Sequence, residues 1–228
     1  VEVKQIIIAS NNPGKIKEIK SYLGDLDIKF FSIKEYFNKD IEIIEDGETF
    51  EENALKKARE ISKLSGVITL ADDSGLQVMK LDWRPGIYSA RYAGENSTYL
   101  ECNEKLLKEM ENVENRFARY ISTLALYIPK HSNLAYMADR KSKLEVIVNA
   151  SFNGRIAGEP MGDNGFGYDS IFLLDDGRTM AQLSLEEKNK ISHRAMALKK
   201  MKAICMLIQD SGPVQFSFSK NNRFVLNQ

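Results

Sequence analysis

Four groups of side chains in the sequence have the types and spacing for chemistry on a charged substrate. Ser10-Asn11-Asn12-Pro13-Gly14-Lys15 sets small polar residues and a glycine ahead of a lysine. Between a strand and a helix, such a run offers phosphate its backbone amides, the helix dipole and an ammonium. It is not a Walker loop, because Ala9 stands where the first glycine belongs and Ile16 follows the lysine where Ser or Thr is required. Taken alone, the segment reads as an ordinary turn with a solvated lysine. Glu45 and the adjacent pair Asp72-Asp73 are hard oxygen donors, of the kind Mg2+ takes one or two at a time alongside substrate phosphates. Asp72-Asp73-Ser74-Gly75 also suits a turn with solvated charges, and the residues weigh equally for both. Gly165-Phe166-Gly167-Tyr168-Asp169 interleaves two aromatic rings with glycines and ends on a carboxylate. That combination stacks a planar ring and hydrogen-bonds its edge, although both rings would serve as core at a strand entrance. Lys188 and Ser192-His193-Arg194 gather cations and an imidazole where a helix begins. They suit an anion or a carbonyl oxygen better than a metal, and a capped helix with surface charges would use the same residues.

The elements that must position these groups follow from hydrophobic periodicity. Val3 to Ala9 predicts a buried strand around Ile6-Ile7-Ile8, and Lys15 to Leu23 a helix with Ile16, Ile19 and Leu23 on one face. Asp27 to Phe31 and Ile41 to Ile44 are strand candidates. Thr49 with Glu52 forms a capping-box pattern for a helix whose stripe is Phe50, Ala54, Ala58 and Ile61, and which Gly66 stops. Val67 to Ala71 predicts a strand that ends at the acidic pair, with Leu76 to Met79 alternating after it. Ser97 or Thr98 opens a helix to about Met110. Arg116 to Ile128, Leu134 to Ala138 and Lys143 to Val148 follow as an antiparallel section. Gly158 to Asp169 is a glycine-rich loop before a strand over Ile171 to Leu174. Ser184 and Glu187 form a second capping box, and Ser192 caps a last helix carrying Ala195, Leu198, Ile204 and Ile208. The mixture predicts an α/β fold on a mixed sheet.

Composition narrows the class of protein. The 228 residues carry 32 basic and 32 acidic side chains and are 43% apolar, which excludes disorder as the main state. Zero net charge disfavours nucleic acid as a partner, and no apolar run reaches the length of a membrane span. The opening Val1-Glu2-Val3-Lys4-Gln5 lacks the layout of a signal peptide. Cys102 and Cys205 stand far apart, so a reducing cytoplasm is expected. His131 is expected in an exposed turn, and Trp83, Met196, Met201 and Met206 in packing.

Together the groups resemble the inosine triphosphate pyrophosphatase family. The resemblance rests on Ser10-x-Asn12-x-x-Lys15, Glu45 to Ala54, Ala71 to Leu76, Pro85 to Tyr92, Gly165 to Asp169 and Glu187 to Arg194, in family order. It implies an elongated α/β fold in two lobes around a long mixed β-sheet, with an inter-lobe active-site cleft, usually in a homodimer. Residues 1–212 would form this domain, leaving 213–228 as a loosely structured tail with no assigned role. The implied reaction is Mg2+-dependent hydrolysis of deaminated purine nucleoside triphosphates (ITP, dITP, XTP) to the monophosphate and pyrophosphate, which cleanses the nucleotide pool. By motif, Ser10, Asn11, Asn12, Gly14 and Lys15 would hold phosphates with Lys57 and Arg91. Glu45 and Asp73 would hold the metal with Asp72 in support, and Asp73 would also be the catalytic base. Ser74 would touch substrate, and Phe166, Gly167, Tyr168, Asp169 and Lys188 would frame the nucleoside. His193 and Arg194 would read the base, with Asp169 accepting from the protonated N1 of a 6-oxo purine. Ser170 and the bulky turn Leu81-Asp82-Trp83-Arg84 depart from the family pattern. The alternatives are a pyrophosphatase for a modified pyrimidine triphosphate and a non-catalytic nucleotide sensor. Retention of both Glu45 and Asp73 argues against the sensor.

Overall fold

The structure, a computed structural model, describes residues 4–129, 144–210 and 223–226. Ile6, Ile7 and Ile8 are fully buried in β1 (Lys4–Ala9). This strand has a parallel neighbour on each side, β2 (Ile28–Ser32) and β3 (Ile68–Val78). Parallel pairs require crossovers. The first is α1 (Pro13–Leu23), and the second passes through α2 (Ile33–Phe37) and α3 (Phe50–Ser65). Later strands are β4 (Phe117–Ile128), β5 (Leu144–Ile156) and β6 (Phe172–Leu173), giving the order β2-β1-β3-β4-β5-β6. The β5–β6 pair is antiparallel, so the sheet is mixed as expected. Within the tail expected to be loosely structured, a further strand, β7 (Arg223–Leu226), pairs in parallel with β5 and corrects that expectation for these residues. The remaining helices are α4 (Tyr99–Glu109), α5 (Leu185–Ile191) and α6 (His193–Asp210).

The chain forms two compact units. The first comprises Val1–Asp73, Thr123–Asn149 and Ala197–Gln228, and its core gathers Ile7, Ile33, Ala54, Ala58, Ile61 and Ile147. The second comprises Ser74–Ser122 and Ala150–Met196, with Leu76, Leu106, Tyr120, Ile156, Phe172 and Met180 in its core. Strands β3, β4 and β5 and helix α6 each contribute residues to both units. Among the described residues, no helix is long and apolar enough to cross a membrane.

Local signals set most helix ends. Thr98 with Glu101 and Ser184 with Glu187 form complete capping boxes, and Gly66 ends α3 in the left-handed region at φ 72°. The box expected at Thr49 is half formed. Thr49 accepts from the Glu52 amide, but Glu52 reaches back to the Glu48 amide instead of that of Thr49. Four other expectations are corrected. Helix α1 starts at Pro13, not Lys15, because Asn12 caps it. Ile41 to Ile44 forms no strand: Ile41 and Ile43 pack partly buried on the first core while Ile44 points outward, so their apolarity reflects packing of unpaired chain. Asp72-Asp73-Ser74-Gly75 is not a turn but the middle of β3, where two lysines compensate the acids. Of the methionines expected in packing, Met201 is buried, whereas Met196 and Met206 are exposed. The Arg119 guanidinium covers the Trp83 ring at 4.2 Å. The strand expected over Leu134 to Ala138 and the turn with His131 lie outside the described residues.

Candidate active site

In the first unit the register of two parallel strands brings the phosphate-type loop and the acidic pair to one level. Ala9 pairs with Ala71, so Ser10 and Asp72 leave that pairing side by side. Asn12 Oδ1 accepts from the Lys15 amide at 3.1 Å, the Asn12 amide donates to Ser10 Oγ, and Pro13 begins the helix. The loop is therefore folded around the positive end of α1, where anions are favoured. Asn11 turns its amide to the Ile41 carbonyl. Lys15 Nζ lies 3.2 Å from Asp72 Oδ1.

Asp73, the next residue on β3, projects to the opposite face. Its Oδ1 accepts from Lys57 Nζ at 3.1 Å, and the same ammonium lies 3.0 Å from Glu45 Oε2. Lys57 is only 6% exposed. Burial alone would lower its pKa, but Asp73 and Glu45 outweigh burial and raise it. Burial would likewise raise the Glu45 carboxyl, yet Lys57 and Lys15 hold it below its ordinary value. Asp73 goes the other way. Burial, helped by Glu45 and opposed by Lys57 and Lys15, pushes it up to about 6. Asp73 Oδ2 is buried and takes no hydrogen bond from the described residues.

Those features fit a hard cation. Two carboxylates whose pKa values are driven apart, one with an oxygen lacking a donor, suit Mg2+, which uses few protein ligands and keeps oxygens from water and phosphate. Asp72, the expected support, pairs with Lys15. Among the described residues no three His, Cys, Asp or Glu side chains converge as a metal cage.

Sequence reasoning missed Asn53 in this unit. Its Oδ1 accepts from the Gly47 amide at 2.8 Å, fastening the Glu45-bearing segment to the first turn of α3. A Cβ on Gly47 would lie 2.7 Å from that oxygen and 2.8 Å from Glu52 Cβ, so the approach requires glycine. The signal was Glu-Asp-Gly directly ahead of a helix start.

The second unit gathers the residues expected on the nucleoside side. Lys188, near the end of α5, and His193 and Arg194, which open α6, are all buried. Ser192 Oγ caps the later helix by accepting from the Ala195 amide. Asp169 is 3% exposed and takes hydrogen bonds from Lys188 Nζ (2.6 Å) and the Phe166 amide (2.9 Å) on Oδ2, and from the Tyr120 hydroxyl (3.1 Å) on Oδ1. Three donors from the chain already engage it, one on Oδ1 and two on Oδ2, and hold its orientation. Gly165, at φ 79°, makes this closure feasible, since a Cβ there would fall 2.1 Å from Asp169 Oδ2. Asn103, also missed from sequence, holds the Gly167 carbonyl.

The expectation for Tyr168 is corrected. It is buried and donates to the Ser89 carbonyl at 2.8 Å, so it braces the loop and presents no face to a base. Phe166 remains half-buried, with Lys188 Nζ 4.9 Å and Arg194 Cζ 5.5 Å from its ring centre. Arg194 donates to Ser74 Oγ at 2.8 Å. Arg91 lies in the short 3-10 turn Gly86–Arg91, 3.7 Å from Glu95 and over the Tyr88 ring.

The sequence pattern of the Ham1 family matches residues 6–204. The chain is 47% identical over 207 residues to the dITP/XTP pyrophosphatase of Bacillus licheniformis, an alignment covering 89% of this chain and 98% of that protein. It is 44% identical over 203 residues to the dITP/XTP pyrophosphatase of Bacillus subtilis, across 87% of this chain and 96% of that one. Among solved structures, the Staphylococcus aureus Ham1 protein matches with a TM-score of 0.74 and 39% identity, over 89% of this chain and 98% of that chain. A HAM1 protein from Coxiella burnetii matches with the same TM-score and 40% identity, over the same shares of the two chains. The matched span includes every residue of both groups described above, and the chain belongs to the Ham1 family.

Proposed function

We propose that this chain hydrolyses nonstandard purine nucleoside triphosphates, dITP, ITP and XTP, to the nucleoside monophosphate and pyrophosphate. The observation that carries the proposal is the buried group of Lys57 with Glu45 and Asp73, in which one carboxylate oxygen lacks a donor. A sensor needs phosphate-binding cations but not a proton acceptor beside a cation site.

The roles follow from charge. A triphosphate brings several negative charges, which Lys15, Lys57 and the positive end of α1 offset. Glu45 and Asp73 would hold Mg2+, which when bound acidifies coordinated water and stabilises charge on the reacting phosphate. Burial raises the Asp73 carboxyl to about 6 in the metal-free chain; a bound cation would lower it, leaving the ionised carboxylate to accept a proton near neutrality. On the nucleoside side, Phe166 offers a ring for stacking, Lys188 is held by Asp169, and Arg194 is held by Ser74.

The test is product identity. With dITP and Mg2+, pyrophosphate and the monophosphate should appear in equal amounts, and a phosphate assay lacking added pyrophosphatase should stay silent. A nucleoside diphosphate as first product would overturn the proposal.

We further propose a homodimer in a reducing cytoplasm. The second reading is supported by Cys102 and Cys205, which are both free and buried. The first rests on the family resemblance, and a light-scattering mass of about one chain would reject it.

A further inference from the structure

We infer that Tyr120 is a positioning residue for the nucleoside side, acting through both Asp169 and His193. Strand β4 alternates in burial and turns Tyr120 inward, 6% exposed. Its ring packs against Phe172 at 4.3 Å and stacks on the His193 imidazole at 4.4 Å with 17° between planes. Its hydroxyl donates to Asp169 Oδ1, the one Asp169 oxygen that neither Lys188 nor the Phe166 amide uses. Burial and the neighbouring Asp169 hold the phenol well above its ordinary pKa, so it stays a donor.

One side chain therefore anchors two fixtures. Through Asp169 it fixes the orientation of a carboxylate that in turn holds the Lys188 ammonium and the backbone under the Phe166 ring. Through its ring it fixes the imidazole that precedes Arg194. Phenylalanine at this position would keep the stack but leave Asp169 Oδ1 buried without its donor. The carboxylate would then turn towards its remaining partners, and Lys188 and Phe166 would lose their fixed positions. Hydrogen bonds to charged groups contribute enough to move binding by roughly tenfold or more.

This inference rests on the proposed substrate class, and the experiment separates the two. Two probes are titrated calorimetrically into wild type and Tyr120→Phe: inosine monophosphate, which carries ribose and base, and inorganic tripolyphosphate, which carries neither. The variant should bind inosine monophosphate about tenfold more weakly and tripolyphosphate as wild type does. Lys188→Met should also weaken the monophosphate, and the double variant should be little worse than the poorer single one, because both act through Asp169. Equal monophosphate affinity in wild type and Tyr120→Phe, a parallel loss of tripolyphosphate, or multiplying effects in the double variant would each overturn the inference. So would a wild type that does not bind inosine monophosphate. If wild type releases no pyrophosphate from any purine triphosphate while the binding pattern holds, the hydrolase reading fails and Tyr120 keeps its role.

Discussion

Asp73→Asn should abolish turnover in a chain that folds at least as well as the wild type. The substitution preserves volume and removes both the proposed cation ligand and the proposed proton acceptor. Loss of a general base alone lowers kcat on the order of 10² to 10⁴, and weaker cation binding adds to that. Stability should move the other way. The Asp73 carboxyl sits at about 6 against an ordinary 3.8, so the folded chain holds this proton more tightly than the unfolded chain. As pH rises from about 4 to about 6, the unfolded state ionises first, and the contribution of Asp73 to the stability of the metal-free wild type is lost across that window. At about 1.4 kcal/mol per pKa unit, the loss reaches up to about 3 kcal/mol. Above about 6 this contribution is constant. The asparagine variant lacks this contribution, so the difference between wild type and variant carries the slope, and Lys57 keeps Glu45 as a partner at 3.0 Å. Thermal melts of metal-free protein between pH 4 and 7, paired with pyrophosphate release at pH 7, check both halves. Near-normal turnover in a folded Asp73→Asn chain would remove Asp73 from the mechanism.

What was legible in the sequence was local. The complete caps at Thr98 and Ser184 need only a hydroxyl and a glutamate three residues on, and Gly66 needs only its own backbone freedom. Ser32 with Glu35 carries the same signature, and that box opens the short α2 that sequence reasoning passed over. What was missed was non-local. Two adjacent aspartates look like the end of a strand until Lys15 and Lys57, far off in sequence, are seen beside them. Asp169 was chosen for base reading by residue type, and nothing nearby announces that Tyr120, 49 positions away, shares it with Lys188. Tyr168 misled for the same reason, since its hydroxyl partner is the Ser89 carbonyl. Motif order therefore marks the candidate positions, whereas the partners that hold each of them in place are set by contacts distant in sequence.

Inosine and xanthosine triphosphates should be turned over far better than adenosine triphosphate, and Arg194 should carry much of the difference. Arg194 is 1% exposed, and its guanidinium donates to Ser74 Oγ and lies 5.5 Å from the centre of the Phe166 ring. A guanidinium has five N–H donors and no acceptor, so a buried one is matched to an oxygen. A 6-oxo purine would offer the guanidinium such an oxygen. The 6-amino group of adenine would instead turn hydrogens towards it. Sites of this kind discriminate by up to about 10⁴ to 10⁵. Asp169 Oδ1, which takes only the Tyr120 hydroxyl, would add to the discrimination by accepting from the protonated N1 that adenine lacks. Guanine shares the 6-oxo group, so these donors do not exclude it, and any preference against it must arise at its 2-amino group. The measurement is competitive kcat/KM for inosine, xanthosine, guanosine and adenosine triphosphates on wild type, Arg194→Met and Ser74→Ala. Methionine keeps an unbranched stem in the buried site, so the variant tests the guanidinium rather than packing. The inosine-to-adenosine ratio should collapse towards unity in Arg194→Met, mainly through loss on inosine. Ser74→Ala, which releases Arg194 from its anchor, should fall between that variant and wild type. Equal values for inosine and adenosine triphosphates in the wild type would take base reading away from Arg194 and favour a modified pyrimidine as the substrate.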